Sequence, residues 1–166
     1  FIGSFGISTL TSIPLKSPTR TATRQQESID NQKAKQMMRK YTADDTDILM
    51  EIWDKAEAEA HPFLPQEIRD QVRKDVRNIY MPNAETWVLE CDGQPVGFIS
   101  MIGNEIGGLF LDPALQGKGM GRQMVDHVVA LKGPLTVEVF KENKISLPFY
   151  KGYGFIVTGE GKFEAS

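Results

Sequence analysis

The stretch LDPALQGKGMGRQMVDHVVALK, residues 111–132, leaves an apolar run, passes glycines at 117, 119 and 121, and enters a helical pattern. A strand, a bend without side chains and a helix, in that order, restrict the chain to architectures in which a helix starts beside a strand end. Such a helix start offers unpaired N–H groups and about half a positive charge. Bare backbone before it lets an anion come within hydrogen-bond distance. Lys118 and Arg122 add positive charge, so the feature suits a ligand carrying a diphosphate.

Three phosphate-binding patterns compete for this bend. The GxxxxGK[ST] pattern fails, because Lys118 is followed by Gly119 and no glycine stands at the required upstream position. The dinucleotide pattern GxGxxG is met at Gly117 and Gly119, and Glu138 lies near the spacing of its ribose-binding acid, but Arg122 stands at the third glycine position. In addition, DPALQ separates the apolar run from the first glycine, whereas a dinucleotide turn follows its strand directly. The third pattern, [QR]xxGxG/A, is matched in full by Gln116, Gly119 and Gly121.

Composition narrows the class. With 166 residues, 40% hydrophobic and 25% charged, the chain reads as one globular domain able to bury a core. No apolar run approaches the roughly 18 to 20 residues of a membrane span, so a soluble, cytoplasmic protein without a membrane partner is expected. A net charge of -3 argues against a nucleic-acid surface. Cys91 is the only cysteine, which excludes an internal disulfide and a multi-cysteine metal site, and no metal is expected. In its apolar surroundings Cys91 reads as a core residue rather than an acyl-carrying nucleophile.

Residues 1–36 differ from the rest. They are rich in Ser and Thr and carry Lys16, Arg20 and Arg24 with no acid before Glu27, a loose likeness to an organellar transit peptide. They read as a disordered leader, non-native or targeting, outside the fold, which leaves 37–166 as the domain.

From Met38 the periodicities become regular. MRKYTADD reads as a strand running into a helix whose apolar stripe is Ile48, Leu49, Ile52, Trp53 and Ala56. HPFLP, with Pro62 and Pro65, ends it. A second helix from Gln66 would bury Ile68, Val72, Val76 and Ile79 and leave Arg69, Arg73 and Lys74 outside. TWVLECDGQPVGFISM reads as a hairpin turning at Asp92-Gly93. EIGGLFLD is a strand weakened by Gly107 and Gly108 unless a bulge or a close ligand uses the missing side chains. The third helix would bury Met124, Val125, Val128 and Leu131 and leave His127 exposed. LTVEVF is a strand, Ser146 to Lys151 a short helix, and a last strand starts at Phe155.

LFLDPALQGKGMGRQMV, together with VFKENKISLPFYKGYGF and its Asn143, Phe149, Tyr150, Gly154 and Phe155, resembles the GCN5-related N-acetyltransferase (GNAT) family over about residues 38 to 160. The resemblance implies an α/β (α+β) fold, a three-layer α/β/α arrangement around a mixed, mostly antiparallel sheet. Members usually add a final strand beside the fifth, and GEGKFEAS is too short and polar to supply it, so the fold would lack that strand. It also implies acetyl-CoA as co-substrate and direct transfer of its acetyl group to a primary amine, on a small molecule or a protein lysine. Dimers are frequent among members.

Carried onto this chain, the resemblance gives Phe110 and Leu111 backbone contacts to pantetheine in a wedge between splayed strands, an added-strand mode of binding. Gln116, Gly117, Lys118, Gly119, Met120, Gly121 and Arg122 would hold the pyrophosphate, and Asn143 would contact the arm. Tyr150 stands at the position of the general acid for the departing thiolate; the competing reading is a buried aromatic. Glu105 faces the acceptor as candidate base, with Glu138 as the other choice, and His61 borders the acceptor site. A coenzyme A-binding module without turnover and a fragment of a dinucleotide oxidoreductase are the alternatives.

Overall fold

The computed structural model describes residues 4–13 and 35–164. Seven strands form one sheet in the order β2-β3-β4-β5-β6-β1-β7. They are β1 (Ser4–Ser12), β2 (Gln36–Lys40), β3 (Glu85–Cys91), β4 (Gln94–Ile102), β5 (Glu105–Leu111), β6 (Thr136–Phe140) and β7 (Phe155–Glu164). Every neighbouring pair is antiparallel except β5 and β6. The helices are α1 (Thr46–Ala60), α2 (Gln66–Asp75), α3 (Met120–Lys132) and α4 (Ser146–Tyr153), with a one-turn helical segment at Met81–Asn83.

Period-two alternation distributes the strands between two cores. Val88 and Phe98 pack with Leu49, Met50, Ile52 and Trp53 of α1, while their neighbours Leu89 and Ile99 pack with Met124, Val125 and Val128 of α3. This is the three-layer arrangement expected. The β3–β4 hairpin turns at Asp92 (φ 52°) and Gly93 (φ 81°), the paired positive φ of a two-residue turn.

The leader reading is corrected for β1. Ser4–Ser12 is an interior strand, paired antiparallel with β6 on one side and β7 on the other. It fills the place beside the sixth strand where the sequence leaves the sheet one strand short. A Ser/Thr-rich segment can do this because Leu10 drops into the core at 0% exposure, while the buried Ser12 hydroxyl accepts the Leu135 N–H at 2.7 Å. Residues 1–3 and 14–34 of the expected leader lie outside the described residues.

Smaller corrections concern helix faces. Ile79 is exposed, because the chain widens to a π-turn over Val76–Tyr80 and shifts the stripe out of phase. Leu131 is exposed near the end of α3. Arg69 is half-buried and donates from Nη2 to the His61 carbonyl at 3.1 Å. Pro148 falls in the first turn of α4, where no intrahelical N–H is required.

Candidate active site

The parallel pairing of β5 with β6 covers only Glu105 with Thr136 and Ile106 with Val137. Beyond those pairs the two strands splay toward their C-terminal ends. The β4–β5 register runs from Met101 opposite Ile106 to Ser100 opposite Gly108, so Gly107 is the extra residue of a bulge. At Gly108 a Cβ would stand 2.5 Å from a ring carbon of Phe110. The weakness expected at these glycines is realised as a bulge in β5, the strand that forms one wall of the wedge.

At the end of β5, Asp112 accepts the Ala114 N–H at 3.1 Å and starts a short 3₁₀ turn over Pro113–Leu115. Gly119 then caps α3 with φ 82°, a conformation that a side chain strains. The first i→i−4 bond near this end runs from Gln123 N–H to Gly119 C=O at 3.0 Å, leaving the preceding helical amides without acceptors inside α3. Such an arrangement suits an anion: amide donors without helical acceptors, a helix dipole and a bend free of side chains.

A single cleft of about 1000 Å³ joins the wedge to this helix start. Phe110, Leu111, Gln116, Gly117, Gly119, Gly121, Arg122, Asn143, Tyr150, Glu105, Glu138 and His61 all line it. Of the expected site residues, Lys118 and Met120 do not. Lys118 is exposed, and the Met120 side chain is a core residue at 5% exposure, which leaves Met120 only its backbone for a ligand.

Tyr150 sits on α4, 3% exposed, between the rings of Phe149 and Phe155. Burial pushes its phenol well above the ordinary tyrosine range, so it keeps its proton and can act as a donor. Glu105 is held above the usual carboxylate value by burial and, secondarily, by Glu138. Arg122 lies over the Tyr153 ring at 4.8 Å, and Tyr153 donates to Asp126 at 2.6 Å.

One constellation escaped the sequence reading. Glu57, 4% exposed on α1, accepts from His61 Nδ1 at 2.7 Å, and His61 Nε2 lies 3.0 Å from Asn143 Nδ2. The Glu57-x-x-x-His61 spacing across the end of α1 was its only local signal. His127, expected on the surface, instead packs edge-on against Trp87 at 4.4 Å, and desolvation lowers its pKa. Cys91 is half-buried against the α3-side core, as expected.

Comparison with known proteins agrees with this geometry. A sequence model described as an acetyltransferase (GNAT) domain matches residues 82–157. The peptidyl-lysine N-acetyltransferase YjaB of Escherichia coli is 36% identical over 117 residues, 70% of this chain and 79% of that protein.

The chain belongs to the GNAT acetyltransferase family.

The solution structure of apo YjaB from Escherichia coli superposes with a TM-score of 0.70 at 34% identity, over 75% of this chain and 85% of that one. The PaiA N-acetyltransferase of Thermoplasma acidophilum, solved with coenzyme A, shares the fold at a TM-score of 0.62 and 17% identity, over 80% of this chain and 99% of that one. As a GNAT acetyltransferase the chain is an acyl-transfer enzyme, which sets aside the dinucleotide oxidoreductase. β1 supplies a strand beside β6, the place whose expected vacancy would impair turnover and leave only a coenzyme-binding module.

Proposed function

We propose that this GNAT acetyltransferase moves the acetyl group of acetyl-CoA directly onto a primary amine, the side-chain amine of a peptide or protein lysine. The observation that carries the reading is the continuity of one cleft from the bare start of α3, through the β5–β6 wedge, to a pair of acids at the base of the wedge. A diphosphate fits the first, an amide-bearing arm the second, and a cationic amine the third.

In this reading the amides from Gly117 to Arg122 hold the pyrophosphate, Met120 contributing backbone alone. Phe110 and Leu111 offer main-chain groups to the arm, and Asn143 meets it from the turn before α4. Glu105, whose proton affinity is raised, accepts a proton from the incoming ammonium; the neutral amine attacks the acetyl carbon; Tyr150 protonates the departing sulfur. Lining acids Glu57, Asp75, Glu105 and Glu138 favour a cationic acceptor. The lysine class is supported by the peptidyl-lysine N-acetyltransferases that the chain resembles; a small-molecule amine is the alternative acceptor.

The test is coenzyme thiol release by the purified chain with acetyl-CoA and either lysine peptides or a panel of small amines. Faster release with internal lysines supports the reading, and release confined to small amines would replace its acceptor class. No release with any amine would overturn acetyl transfer.

A further inference from the structure

The hydrogen bonds around His61 define its tautomer. Asn143 Oδ1 accepts from the amides of Ile145 and Ser146 at 3.1 and 2.9 Å, at the start of α4, so the orientation of that side-chain amide is set. Its Nδ2 therefore faces His61 Nε2 as a donor. Nε2 must then carry the lone pair, Nδ1 carries the proton, and Nδ1–H donates to the Glu57 carboxylate. The ring is also confined edge-on by Phe63 at 5.6 Å and Phe140 at 5.1 Å. The charged groups facing it are Glu57 from α1 and, at its own carbonyl, Arg69 from α2. A buried carboxylate behind Nδ1 and a lone pair at Nε2 on a cleft wall are the parts of an oriented proton acceptor.

We infer that His61 is a catalytic proton acceptor in acetyl transfer, with Glu57 as its positioning residue. The inference rests on the acetyl transfer proposed above. Amide formation requires the ammonium nitrogen to lose two protons, and Glu105 takes only the first. When the amine forms its C–N bond to the acetyl carbon, the nitrogen becomes cationic again and gives its second proton to His61 Nε2. The C–S bond then breaks with its electron pair going to sulfur, and Tyr150 protonates that sulfur. His61 returns its proton to the Tyr150 phenolate, and Glu105 releases the first proton to water. At rest Asn143 Nδ2 occupies Nε2; a small displacement of Nδ2 toward the coenzyme arm, with Oδ1 kept on the Ile145 and Ser146 amides, frees the lone pair for the acceptor.

The experiment uses the full chain with two acceptors, a lysine peptide and the same peptide bearing an aminooxy side chain, whose amine arrives without the extra proton. His61→Ala and Glu57→Gln should each lower kcat by about 10²-fold with both acceptors, while the KM for acetyl-CoA and the thermal stabilisation it gives stay at the parent's values. Added imidazole should restore part of the His61→Ala turnover. Glu105→Gln should lose turnover with the lysine peptide and keep most of it with the aminooxy peptide. The inference is overturned if His61→Ala turns over like the parent, if imidazole restores nothing, or if the loss vanishes with the aminooxy acceptor. A parent chain that binds acetyl-CoA and acetylates neither peptide overturns the underlying reaction instead, a result distinct from active parent and variant alike.

Discussion

Leu10 of β1 stands opposite Val137 of β6, and both side chains are buried in the core beneath α3 and α4. The amino-terminal strand is thus bound to the strand that forms one wall of the wedge. Ile7, three residues earlier, pairs with Phe140 and lines the cleft itself. Leu10→Ala should destabilise the domain by about 2 to 5 kcal/mol, the usual effect of emptying a fully buried leucine site. Urea or thermal unfolding checks this. A leader outside the fold would leave the midpoint unchanged.

Arg39 joins two elements through ion pairs, with Asp45 at 2.8 Å and with Glu90 of β3 at 2.6 Å. The guanidinium, aided by the Thr42 N–H, draws the Asp45 carboxyl down to about 2. Because the folded value lies below the unfolded one, the stabilisation is complete above the ordinary carboxylate range and is lost as pH falls toward 2. Asp45→Asn should therefore cost about 2 kcal/mol near neutrality and progressively less at acid pH. Unfolding measured across that window distinguishes the ion pair from mere packing.

Glu105 provides a prediction of opposite sign. A base must be ionised to act, and burial together with Glu138 holds Glu105 above the usual carboxylate range. In a His61→Ala background, where Glu105 is the remaining proposed base, the acid limb of kcat/KM should accordingly lie above the value of an ordinary glutamate. Glu138→Gln removes the like charge and should move that limb toward lower pH, although burial keeps it from returning fully. A limb that does not move with Glu138→Gln would detach Glu105 from the rate.

Tyr150→Phe retains the buried ring and deletes the proton. Turnover should fall by about 10²-fold while acetyl-CoA binding, read by thermal shift or calorimetry, is preserved. Equal turnover would reduce Tyr150 to packing between Phe149 and Phe155.

Gly119→Val places a β-branched side chain at φ 82° where α3 begins. Left-handed backbone costs such a residue about 1 to 2 kcal/mol, and relief by local rearrangement would misplace the helix-start amides. Acetyl-CoA affinity should drop about tenfold or more, and titration calorimetry reads it. Undiminished affinity would move the pyrophosphate elsewhere.

Much of the site was legible in the chain before any contact was known. The positive φ turn at Asp92-Gly93, the irregularity at Gly107 and Gly108 and the side-chain-free approach to α3 are demands of local backbone sterics, which a short run of residues states. The β-rich runs on either side of Asp92-Gly93 likewise announced the antiparallel pair β3 and β4. The sequence alone therefore determined the strand, bend and helix that border the cleft, and with them the family.

Only the tertiary structure decided which distant segments meet. It threaded β1 between β6 and β7, where strand-forming Ser and Thr residues had looked like a leader because the partners for their backbone groups lie more than a hundred residues away. It brought His61 to Asn143, 82 positions along the chain, and packed His127 under Trp87. Local propensity carries no record of such pairings, since hydrogen-bond satisfaction and desolvation depend on what the completed sheet places nearby.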